Sequence, residues 1–128
     1  VTSVLPRVAL DMVSYSSYDT AVFEGSSTAA FMDALELIKR SHRRTSASPA
    51  NPVFVGEFGV PGTPDEKSTA AFQSMLDRLD RHRVSLAALW VYDFEGQAAD
   101  WNVTASNARK AQLDAIAALN RRWQTAAP

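Results

Sequence analysis

Hydrophobic positions along the chain follow two different periods. Three short runs are apolar with little polar alternation: Val8 to Tyr15 (VALDMVSY), Val53 to Phe58 (VFVGEF) and Leu86 to Phe94 (LAALWVYDF). Runs of this length and composition predict strands covered on both faces, as in parallel sheets. Between them the apolar residues fall at helical spacing. Phe31, Ala34, Leu35 and Ile38 form one stripe, and Phe72, Met75, Leu76 and Leu79 form a second. A last helix is predicted from about Thr104 to Trp123, with Leu113, Ile116 and Trp123 facing inward.

Punctuation agrees with the periods. Ser26 and Ser27 are available as caps for the first helix, and the small polar linker TSASPANP returns the chain to the second strand. Thr63, Pro64 and Glu66 predict a capping box with proline at the first helical position. The order strand, helix, strand, helix, strand, helix predicts a parallel sheet with right-handed crossovers. Strands starting at Val8, Val53 and Leu86 are spaced roughly as in a barrel of eight βα units, where a unit takes about 31 residues plus loop. The fold class is therefore α/β, a partial (β/α)8 TIM barrel of three consecutive βα units, with residues 1–128 as a single domain.

One carboxylate is out of place in this pattern. Glu57 ends the second strand between Gly56 and Gly59, after Val53, Phe54 and Val55. A carboxylate there is costly unless it is hydrogen-bonded or faces a cleft where it is used. Tyr15, Tyr18, Trp90, Tyr92 and Asp93 also lie near or past the carboxyl ends of their strands, the edge where α/β folds build their sites. The helix-to-strand loops hold mainly small polar, proline and basic residues. A carboxylate surrounded by aromatic rings suits sugar chemistry, since an oxocarbenium-like transition state needs an anion or nucleophile and flat rings bind sugar faces.

Composition narrows the choice. The 128 residues are 46% hydrophobic, enough for a core, and 13 Lys plus Arg against 14 Asp plus Glu leave a formal charge of −1. That balance makes no electrostatic case for nucleic acid or an anionic membrane, and no stretch has the apolar length of a membrane span. With no cysteine and only His42 and His82, both beside basic residues, no metal site is expected. Dipole and solvent account for both histidines in this view.

The segments DMVSYSSYD, VFVGEFG and LWVYDF together resemble the last three units, strands 6 to 8, of a (β/α)8 retaining glycoside hydrolase of the clan that includes cellulases and mannanases. The resemblance implies that Glu57, in its G-E-F-G context, is the nucleophile. It implies that Tyr18 is the hydrogen-bond partner of that nucleophile, with Ser16 where the family often has His. Trp90 corresponds to the sugar platform of the eighth strand, and Tyr15, Tyr92 and Asp93 are candidate substrate contacts. No cofactor is implied, because a carboxylate pair needs no metal.

The family's acid/base Glu follows an Asn, and no Asn-Glu occurs in this sequence. Together with a first residue other than Met, this predicts the carboxy-terminal part of a longer hydrolase, inactive alone and completed by an amino-terminal barrel segment. Three strands with two open edges predict poor stability or association in isolation. Secretion is an expectation of the family alone. Sugar and linkage specificity are not written in these residues.

Blander roles stand beside each assignment. Glu57 could be bonded to backbone amides or an Arg, Trp90 could be core, Tyr15 packing and Tyr18 a loop residue. Tyr92 and Asp93 could simply end a strand, and Asp11 could satisfy a loop amide. Asn102-Val103-Thr104 has the form of a glycosylation acceptor, but Thr104 as a helix cap is the better explanation. The rival functions are a non-catalytic carbohydrate-binding surface and a small α/β interaction domain.

Overall fold

The computed structural model describes residues 12–17, 34–40, 53–96 and 100–125. Tyr18, Asp11, His42, the serines at 26 and 27 and the 45–52 linker lie outside the described residues. Strand β1 (Val13–Ser17) is followed by helix α1, described over 34–40, then β2 (Val53–Phe58), α2 (Glu66–Arg81), β3 (Leu86–Leu89) and α3 (Lys110–Thr125). The strands form one parallel sheet in the order β1-β2-β3, as the alternation of strands and helices predicts.

The three described helices share one core with one face of the sheet. Leu35 and Ile38 of α1, Phe72, Met75, Leu76 and Leu79 of α2, and Leu119 of α3 are buried against Val53, Val55 and Phe58 of β2. Val13 and Tyr15 of β1 and Ala87 and Leu89 of β3 pack against the same cluster. The Phe58 and Phe72 rings stack with centroids 5.9 Å apart. Four buried side chains at i, i+3, i+4 and i+7 hold α2 to the sheet, each contributing about 1.5–3 kcal/mol of burial. Trp123 Nε1 donates to Asp80 Oδ1 at 2.6 Å, tying α3 to α2. The other face is bare among the described residues: Ser14 and Ser16 of β1 and Leu86 and Ala88 of β3 are exposed, Leu86 by 57%. No described helix is long and apolar enough to cross a membrane.

Four local expectations are corrected. The third strand ends at Leu89, not Phe94, because the chain turns at Trp90 and Val91 and Tyr92 bridges to Val103 instead. The cap of α2 is Asp65, not Thr63. Asp65 Oδ1 accepts from Ser68 N at 2.7 Å while Ser68 Oγ accepts from Asp65 N at 2.8 Å, a box two residues further on, with the stronger, ionised acceptor at the positive helix end. Thr104 caps a turn rather than α3: its Oγ1 accepts from Asn107 N at 3.0 Å, Asn107 Oδ1 accepts from Thr104 N at 3.2 Å, and the helix begins only at Lys110.

The fourth correction concerns His82, which is only 8% exposed rather than solvated. Lys39 of α1 lies 3.2 Å from its Nδ1 and donates to its carbonyl at 3.0 Å, and Glu36 Oε1 is 3.2 Å from the same ring nitrogen. Burial, then the neighbouring Lys39 charge, pushes the imidazole below its ordinary pKa, with Glu36 opposing and Arg81 and Arg78 adding to the depression. The neutral ring is thus favoured in the folded state. Its contribution to stability is complete above the unfolded value of 6.5 and is lost as pH falls through the lower folded value. Denaturant melts between pH 7.5 and 5 should show stability declining with acid, and His82→Gln should flatten that slope. An unchanged slope in the variant would remove His82 as its source.

Candidate active site

The carboxyl edge of β2 is built around one extra residue. Against β1, Val55 pairs with Tyr15 and Glu57 with Ser16, so Gly56 has no partner of its own. Against β3, Val55 pairs with Ala87 and Phe58 with Leu89, so β2 again carries one residue more than its neighbour. A bulge of this kind sets two residues opposite one and re-aims the side chains beyond it. Here it returns Phe58 to the helix-side core and brings half-buried Glu57 into register with exposed Ser16 on the bare face.

Gly56 fits that arrangement closely. A Cβ added there would lie 2.7 Å from Ser14 Oγ and 3.4 Å from Ser16 Oγ. Gly59 is needed more strictly, since a Cβ there would collide with the carbonyl oxygen of Trp90 and meet the Trp101 ring at 3.4 Å. Trp90 N donates to Phe58 O at 2.8 Å, so the ends of β2 and β3 stay joined at this edge. Half-buried Trp90 follows core-facing Leu89 directly, where β3 ends and the chain turns. The Trp90–Val91 peptide is cis.

Beyond Trp90 the chain is closely tied. Val91 N donates to Trp101 O at 3.3 Å, Val103 N to Val91 O at 2.8 Å and Asp93 N to Val103 O at 2.9 Å. Tyr92 is 55% exposed, and exposed Asp93 takes a left-handed conformation (φ 49°), which Asp tolerates better than most residues. Tyr15 sits on the opposite side of the sheet from Glu57, packed against the helix-side core. The edge therefore carries Glu57 in register with Ser16, with the Trp90 carbonyl and the Trp101 ring beside Gly59 and with Tyr92 and Asp93 on the following loop. Tyr18 lies outside the described residues. Among those residues no three His, Cys, Asp or Glu side chains are grouped to hold a metal.

Arg109, which no motif singles out, links the two loops of this edge. It is only 3% exposed, and its guanidinium donates to Val60 O at 2.7 Å and to Gly62 O. Gly62 N donates to Asp100 O at 3.1 Å, a second tie between the same loops. Burial pushes Arg109 below its ordinary pKa and the Asp100 charge works in the opposite sense. These loops enclose a cleft of about 290 Å³ lined by Gly62, Thr63, Pro64, Asp100, Asn107 and Arg109.

Comparison with protein-family models, with curated proteins and with solved structures finds no match to this chain.

Gly59→Ala should cost about 2–3 kcal/mol, because backbone must move, whereas Gly56→Ala should cost about 1 kcal/mol, because the Ser14 hydroxyl can rotate away. Arg109→Ala should cost about 3 kcal/mol by stranding the buried Val60 carbonyl and removing the partner of the half-buried Gly62 carbonyl. Urea denaturation of the three variants checks the order, and a Gly56→Ala more damaging than Gly59→Ala would refute the packing argument.

Proposed function

We propose that Glu57 is the nucleophile of a retaining glycosidase whose catalytic domain is a (β/α)8 barrel, with this chain forming three consecutive units of it. The observation that carries the proposal is the bulge at Gly56. It sets a carboxylate at the carboxyl edge of the sheet, in register with exposed Ser16 on the face that the described residues leave bare. Among the described residues the core lies on one face of the sheet, which supports the barrel reading, since a barrel keeps its helices outside and its other face for the lumen, while a doubly wound sheet is covered on both faces.

In this mechanism the Glu57 carboxylate attacks the anomeric carbon while a second carboxylic acid, about 5–5.5 Å away, protonates the departing glycosidic oxygen. Water then adds to the anomeric carbon, giving its proton to that same group, and the bond to Glu57 breaks. We assign the second carboxyl group to another strand of the closed barrel. Trp90 supplies the platform for the sugar ring, Tyr18 orients the Glu57 carboxylate, and Tyr92 and Asp93 contact substrate at the rim.

The test is an assay on a panel of aryl β-glycosides, run on this chain and on any longer reading frame that contains it. Glu57→Ala in the active form should lower kcat by roughly 10⁴-fold or more, the scale on which loss of a nucleophile falls. Turnover that survives Glu57→Ala would overturn the assignment. So would the absence of turnover in every form, with this chain behaving as a stable monomer.

A further inference from the structure

We draw no further inference here: the strongest candidate, the apolar groove of about 220 Å³ where α2 and α3 meet the start of β3, lined by Leu76, Leu86, Ile116 and Trp123, carries none because nothing among the described residues shows what covers it.

Discussion

Strand β2 meets two demands that strict alternation cannot satisfy together. Its core residues are Val53, Val55 and Phe58, two odd positions and one even, while a strand turns every second side chain to the same face. Without an extra residue, either Phe58 would leave its stack with Phe72 or the first half of the strand would lose its place under α1 and α2. The bulge at Gly56 absorbs the mismatch, and it does so against both neighbouring strands. Glu57 is placed by the same event that seats Phe58. The carboxylate's position is therefore tied to the packing of the core, and a change in one is felt by the other.

That coupling extends outward through backbone contacts. Gly59 abuts the Trp90 carbonyl, Trp90 N is bonded to Phe58 O, and Arg109 grips the carbonyls of Val60 and Gly62 from the start of α3. A buried guanidinium satisfied by carbonyl dipoles tolerates its desolvation only while both loops hold their positions. The edge thus behaves as one unit, in which the spacing between Glu57 and Trp90 depends on residues more than 40 positions apart in sequence.

Long periodic features were legible in the sequence and their ends were not. The β2 segment and the α2 stripe are predicted residue for residue, because buried strands and amphipathic helices advertise their periods. The segment TPDEKS contains two overlapping capping boxes, Thr63 to Glu66 and Asp65 to Ser68, and only the folded geometry chooses between them. Thr104 does cap, but it caps a turn closed reciprocally by Asn107. His82 stands among basic neighbours in sequence, yet Lys39 and Glu36 approach it from another helix, a contact outside any local window. At the edge itself, Glu57 and Trp90 announced themselves as oddities in apolar runs. Arg109 did not, since a basic residue before a helix is ordinary.

The bare face has a gradient that bears on what it is for. In register across the sheet, Ser14 lies beside Phe54 and Phe54 beside Leu86, so the amino-terminal half carries two large apolar side chains. Toward the carboxyl edge the same face carries Ser16, Gly56, Glu57 and Ala88, small or polar groups. A face meant only for water has no use for Leu86 or Phe54, and a face meant only to be buried has no use for Glu57. The face is therefore divided along the strands, apolar toward their amino-terminal ends and small or polar toward the carboxyl edge.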